Sequence, residues 1–251
     1  MKYFTSVLIG IASIGLLAGI AGAEEEHGHF DIAPYFQNGK LLTGGLDHEG
    51  DQIPPQITVY GWEFGEDPFD PFNPSDPGVN QAAGVGNLPV GAALSYNILS
   101  SLLYWDGSGE PEFGSPGNAY VDLLMGAQTR TLNAASGAQA GAYIQAVQTG
   151  GVLHKHFTTS LYAEPGAGNV PGIGDSTYVQ PPAGIYAFSL ELVLNDSGDV
   201  HTSDPIWAVF NNGATEHAHH EAMEHLVPEP TSLLLLATGG LAILKRRRRR
   251  S

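Results

Sequence analysis

The sequence predicts an all-β protein, a β-sandwich with a short C-terminal helix before a hydrophobic tail. The 251 residues include 33 Gly and 17 Pro, a composition that favours turns over long helices. Apolar residues make up 42% of the chain and alternate with polar ones in several segments, as in strands with one buried face. Clusters of Gly, Pro, Asn and Asp separate these segments, and many short strands with frequent turns are typical of a sandwich.

The alternation places seven strands along the chain. The clearest covers residues 185–194, where Tyr186, Phe188 and Leu190 fall on one face and Ala187 and Ser189 on the other. We expect the first face to be buried and the second to be in contact with water. In chain order, the seven expected strands cover residues 57–64, 94–105, 120–125, 142–147, 152–162, 185–194 and 206–210.

A single helix is expected at residues 215–226, after the last strand. Thr215 is a suitable N-cap and Glu216 lies in the first turn, where its negative charge favours the helix.

Residues 67–78 form four consecutive triplets with proline in the middle position. Because proline fixes φ and polyproline II has three residues per turn, we expect an extended surface loop with Phe69 and Phe72 packed against a sheet. Acidic residues three apart on a stiff segment do not match the spacing of an EF-hand calcium loop.

The charge of the body argues against nucleic acid as a partner. Residues 24–229 contain 3 basic residues against all 26 acidic ones, a formal charge of −23. Such a surface repels phosphate backbones and anionic membranes and attracts cations. The chain contains no cysteine, which excludes disulfides, thiolate metal sites and a cysteine nucleophile.

Residues 1–23 are predicted to be a cleaved secretory signal peptide. Lys2 precedes an apolar run from Val7 to Ile20, and Ala21-Gly22-Ala23 supplies the small residues that signal peptidase recognises. The run is shorter than the ~20 residues of a membrane span. The mature chain is expected to begin near Glu24, with the body at residues 24–226.

Residues 227–251 contain three features in series. The triplet Pro228-Glu229-Pro230 precedes a short apolar segment, 231–244, and a basic cluster, 245–250, that includes Arg246, Arg247 and Arg248. This arrangement resembles the PEP-CTERM sorting signal, which exosortases process in bacteria that make an outer membrane and exopolysaccharide. The resemblance implies export across the inner membrane, transient insertion through the tail, cleavage near residues 228–230, and delivery to the outer surface or extracellular matrix. Exopolysaccharide is then a candidate partner. The basic cluster independently favours the cytoplasmic side.

Histidines are the candidate metal ligands. His154 and His156 share one face of an expected strand at ~6.5–7 Å between Cα atoms, close enough for both rings to reach one ion. His27 and His29 have the same spacing. In the expected helix, His217 with Glu221 and His220 with Glu224 are i, i+4 pairs, and a solvated polar face is the alternative interpretation. Imidazole with carboxylate favours zinc.

A second resemblance extends over roughly residues 27–210. Gly28-His29-Phe30-Asp31-Ile32, Asn38-Gly39-Lys40-Leu41, Leu153-His154-Lys155-His156-Phe157 and Gly184-Ile185-Tyr186 are similar to segments of the choice-of-anchor M family of bacterial surface proteins. The resemblance implies a β-rich domain that handles zinc or a related metal through His29, Asp31, His154 and His156. We include His219 as a further candidate ligand.

The sequence offers few catalytic motifs, although scattered Ser, His and Asp residues could still converge in a fold. It has no Gly-x-Ser-x-Gly or His-Glu-x-x-His motif, and Gly84-Val85-Gly86 and Gly172-Ile173-Gly174 lack the third glycine of a dinucleotide loop. We therefore expect a monomeric, secreted, non-enzymatic surface protein that binds a divalent metal, zinc first. The alternative is a structural matrix protein with no specific ligand.

Overall fold

A computed structural model describes residues 30–46, 52–53, 56–65, 77–125, 128–163 and 179–227. The expected signal peptide, His29, most of the proline-rich segment 67–78 and the tail beyond residue 227 lie outside the described residues.

The described residues contain fifteen strands and one helix. The first eight strands are β1 (Asp31–Gln37), β2 (Lys40–Leu46), β3 (Gln52–Ile53), β4 (Val59–Glu63), β5 (Gly78–Gln81), β6 (Ala93–Ile98), β7 (Leu103–Trp105) and β8 (Ala119–Met125). The remaining elements are β9 (Gln128–Leu132), β10 (Gln139–Ala146), β11 (Leu153–His156), β12 (Thr158–Ala163), β13 (Gly184–Asp196), β14 (Asp199–Thr202), β15 (Ile206–Asn212) and α1 (Glu216–Leu226). The prediction of an all-β fold with one short helix is confirmed.

The strands form three sheets. Five strands pair in the order β11-β5-β1-β2-β3, and three in the order β12-β8-β9. The largest sheet has the order β10-β6-β13-β15-β4, with β7 and β14 also paired to β13. We call the first the five-stranded sheet and the last the seven-stranded sheet.

One hydrophobic core joins all three sheets. It contains Ile32 and Val79 of the five-stranded sheet, Leu123 of the small sheet, and Trp62 and Phe188 of the seven-stranded sheet. Alternate residues of strands such as β6, β8 and β13 face this core, which is why the period-two pattern predicted these strands. The other faces of the sheets are left for loops, solvent and α1.

Two expected strands are each divided in the structure. Residues 94–105 form β6 and β7, which both pair with β13. In the segment between β6 and β7, Ser100 Oγ accepts a hydrogen bond from Ser189 N of β13 at 2.9 Å. Residues 152–162 form β11 and β12, separated by Phe157. The Phe157 ring packs edge-on against Tyr96 with 5.5 Å between centroids, so burial of one aromatic ring accompanies the break.

The prediction that Ala187 and Ser189 of residues 185–194 contact water is wrong, because both are buried. Ile185 and Ala187 are fully buried because α1 packs over them with Ala218 and Ala222. This face becomes less buried only toward its C-terminal end, where Glu191 is half-buried.

The helix itself is as predicted. Thr215 has an extended backbone and its Oγ1 accepts a hydrogen bond from Ala218 N at 3.2 Å, which satisfies one of the free N–H groups of the first turn. No helix in the described ranges is long and apolar enough to cross a membrane.

Candidate metal site and sorting signal

Three strands of the five-stranded sheet bring the candidate ligands together. Ile32 of β1 pairs with Val79 of β5 in parallel, and both side chains face the core. Because successive residues alternate between faces, Asp31 and Gly78 point to the outer face. His156 of β11 pairs with Gly78, so the three residues form one row across that face.

Gly78 gives the carboxylate and the imidazole room to approach each other. A Cβ on Gly78 would overlap Asp31 Oδ1 and would lie 3.2 Å from His156 Nδ1. The carboxylate therefore lies on the Nδ1 side of the His156 ring. Asn80 holds the other carboxylate oxygen, since its Nδ2 donates a hydrogen bond to Asp31 Oδ2 at 3.2 Å.

The other nitrogen of His156 faces His154. The two Nε2 atoms are 3.2 Å apart, a distance at which one of them, when protonated, donates a hydrogen bond to the other, and the rings are tilted by 74° with 4.9 Å between centroids. Two nitrogens bound to one tetrahedral zinc at ~2.0–2.1 Å would be separated by about 3.3 Å. Both side chains are exposed, so an ion would have open positions toward solvent.

The expected ligand set is only partly assembled. Asp31, His154 and His156 are brought together, whereas His29 lies outside the described residues. His219 lies in α1, which covers the outer face of the seven-stranded sheet, so it is on the opposite side of the sandwich. Among the described residues, no group of three or more His, Asp, Glu or Cys side chains is placed to hold a metal.

The histidines of α1 form separate pairs with carboxylates. His217 Nε2 lies 3.3 Å from Glu221 Oε1 and His220 Nε2 lies 3.1 Å from Glu224 Oε1, as the i, i+4 spacing predicted. The His217 side chain is 80% exposed. These pairs fit the solvated-face alternative, because exposed pairs of this kind contribute little to stability or specific binding.

A negatively charged depression of about 350 Å³ lies beside β7. Asp106, Glu110 and Glu112 contribute carboxylates to its lining. Asp106 Oδ1 accepts hydrogen bonds from Ser108 N at 2.9 Å and Ser108 Oγ at 2.7 Å, and these bonds lower the pKa of its carboxyl group. The depression is therefore unsuited to anions.

Two residues of the site were not among the predicted ones. Asn80 holds the Asp31 carboxylate and Gly78 leaves space beside His156, and neither has a motif of its own. Only the pairing of β5 with both β1 and β11 reveals them, and strand pairing over such distances is not visible in local sequence patterns.

Comparison with known proteins identifies the C-terminal segment. A model of the PEP-CTERM protein-sorting motif matches residues 226–250. No curated protein and no solved structure matches the chain. The match starts at Leu226, the last residue of α1, so the sorting motif follows the folded body directly.

The motif defines the class of protein. This chain is a secreted surface protein that carries a PEP-CTERM sorting signal, is processed by an exosortase, and has a membrane-anchored tail before processing. Pro228, Glu229 and Pro230 and the arginines Arg246, Arg247 and Arg248 all fall within the matched segment.

Proposed function

We propose that this protein binds one divalent metal ion, zinc first, at the outer surface or in the extracellular matrix. His154 and His156 supply the two protein nitrogens, and binding rather than turnover is the function. The observation that carries this proposal is the 3.2 Å separation of the two Nε2 atoms, close to that of two ligands on one tetrahedral ion. The similarity of residues 153–157 to the choice-of-anchor M motif adds support.

Asp31 is proposed to act through His156. Its Oδ1 lies on the Nδ1 side of the ring, so a small rotation of the ring would let Nδ1–H donate to this oxygen, leaving Nε2 unprotonated and directed at the metal. Carboxylates in this position raise the basicity of a histidine ligand, and their loss typically weakens metal affinity by about 10–100-fold. His29 and solvent are the candidate donors for the remaining positions.

The surroundings favour a cation. Residues 24–229 carry a formal charge of −23, so the electrostatic potential raises the local concentration of divalent ions. The same field disfavours acidic exopolysaccharide as a direct partner, unless a bound metal bridges the two.

The test is the metal content of the exported, untagged protein after dialysis and a challenge with zinc and copper. We expect near-stoichiometric zinc in the parent and little in the His154→Ala/His156→Ala variant. The matched control is His217→Ala/His220→Ala, which removes the same number of imidazoles from α1 and should retain the zinc.

A structural matrix protein without a specific ligand is the second candidate. It is favoured by the absence, among the described residues, of a complete group of three ligands. Weak and equal metal binding in the parent and both variants would support this candidate and reject the metal site.

A further inference from the structure

We infer that a second metal site lies beneath α1. Its ligands are His219 and Met223, and the ion that it binds is Cu(I), a soft metal ion. The site is independent of the His154–His156 pair, on the opposite face of the sandwich. His219 and Met223 are separated by four residues, so they lie on the same side of the helix, and both are buried, with 8% and 6% of their surfaces exposed.

Gly61 of β4 provides the space for both groups. A Cβ on Gly61 would lie 2.5 Å from Met223 Sδ and 3.0 Å from His219 Nε2. The sulfur and the nitrogen therefore approach the same point above the strand, close enough for one ion to contact both after a small movement of the flexible methionine. Any larger residue at position 61 would fill this space.

Glu63 supports the imidazole from the other side. Its Oε1 lies 3.6 Å from His219 Nδ1, so the carboxylate favours the tautomer with the proton on Nδ1. Asn211 Nδ2 donates to the same Glu63 oxygen at 3.1 Å, which fixes the position of the carboxylate. A histidine ligand whose second nitrogen faces a carboxylate is the usual arrangement in metal sites.

The donor types select the metal. Imidazole and thioether together favour Cu(I) over zinc, calcium or magnesium, because the thioether is a soft ligand. The chain has no cysteine, so no thiolate competes for a soft ion. Both donors are covered by the helix, and we therefore expect slow metal entry and a rise in thermal stability once the ion is bound.

The composition allows a sharp test. The chain has three methionines, and beyond Met1 only Met125 and Met223 remain. We would titrate the exported, full-length protein with Ag(I), a redox-stable probe for Cu(I), and repeat the titration with Cu(I) kept reduced by ascorbate without oxygen. The readouts are stoichiometry, affinity by competition with a Cu(I) chelator, and Tm.

We expect one tightly bound ion per chain and an increase in Tm. Met223→Leu keeps the apolar volume but removes the sulfur, and it should abolish tight binding. Met125→Leu, a buried methionine in the main core, is the matched control and should leave affinity within about twofold. Glu63→Gln should weaken binding by about 10–100-fold.

The His154→Ala/His156→Ala variant separates the two proposals. It should retain the Ag(I) site while losing zinc, so failure of one site is distinguishable from failure of the other. Absence of a 1:1 complex in the parent, or equal affinity in the parent and Met223→Leu, would overturn the inference and leave His219 and Met223 as packing residues of α1.

Discussion

Replacement of Gly78 by alanine tests the geometry of the proposed zinc site most directly. The new Cβ would overlap Asp31 Oδ1 and lie 3.2 Å from His156 Nδ1, so the carboxylate and the ring must move apart. Gly78 does not have a positive φ, and its backbone conformation suits alanine. The effect therefore comes from crowding rather than from backbone strain.

The magnitude follows from what has to move. Displacing the carboxylate weakens its hydrogen bond from Asn80, worth about 1 kcal/mol, and overpacking typically costs about 1–3 kcal/mol in total. Because the carboxylate would be pushed away from the Nδ1 side of His156, where we propose that it orients the ring, zinc affinity should also fall by about 10–100-fold.

The assay combines urea unfolding with competitive zinc titration. Gly114→Ala is the matched control, since Gly114 lacks a positive φ and a Cβ there would meet no atom within 4 Å. We expect the control to change the free energy of unfolding by less than about 0.5 kcal/mol and to leave zinc affinity unaltered. A Gly78→Ala protein with the stability and zinc affinity of the parent would refute the reasoning.

Three further outcomes are expected. Thr215→Ala removes the N-cap of α1 and should lower the free energy of unfolding by about 1 kcal/mol, whereas Thr215→Ser should restore it. Burial raises the pKa of Tyr96 to about 12, against a value near 10 in the unfolded chain. The free energy of unfolding should therefore fall by about 1.4 kcal/mol per pH unit between pH 10 and 12. Unfolding curves of Tyr96→Phe in this pH range should show a smaller loss. Pro228→Ala with Glu229→Ala should leave the tail uncleaved, detected as the full C-terminal mass of the exported chain; normal processing would argue against the sorting role of the triplet.

The alternation of apolar and polar residues predicted strands that have one face against the main core. In β13, Tyr186, Phe188 and Leu190 are buried as the period-two pattern indicated. The opposite face was misjudged because Ala187 and Ser189 are small and weakly polar, and the sequence does not state that α1 will cover them. Burial by a distant element is a tertiary effect that a local pattern does not contain.

The first hairpin was not predicted as a pair of strands. β1 contains Pro34, and proline inside a segment argues against a central strand. Yet β1 lies between β2 and β5, and the Pro34 carbonyl accepts a hydrogen bond from Gln81 Nε2 at 2.7 Å. The sequence does contain a turn signal, because Asn38-Gly39 is a favoured pair for a two-residue hairpin turn. In the structure both residues have the positive φ that this turn requires.

The candidate zinc site could also be predicted only in part. The His154–His156 pair could be predicted because it depends only on two residues of one strand. Asp31 entered the expected set only through a family resemblance, since its approach to His156 requires β5 to lie between β1 and β11. His219 was grouped with these residues by type, and the fold separates it from them because α1 packs on the other sheet.

This separation has a consequence for the anchored form. The sorting motif begins at Leu226, the last residue of α1, and α1 lies on the outer face of the seven-stranded sheet. His154 and His156 lie on the outer face of the five-stranded sheet. The proposed zinc site therefore lies on the opposite side of the sandwich from α1, the helix at whose last residue the sorting motif begins. The proposed His219–Met223 site instead lies within α1 itself, so replacing Met223 alters the helix that directly precedes the sorting motif, whereas replacing His154 or His156 does not.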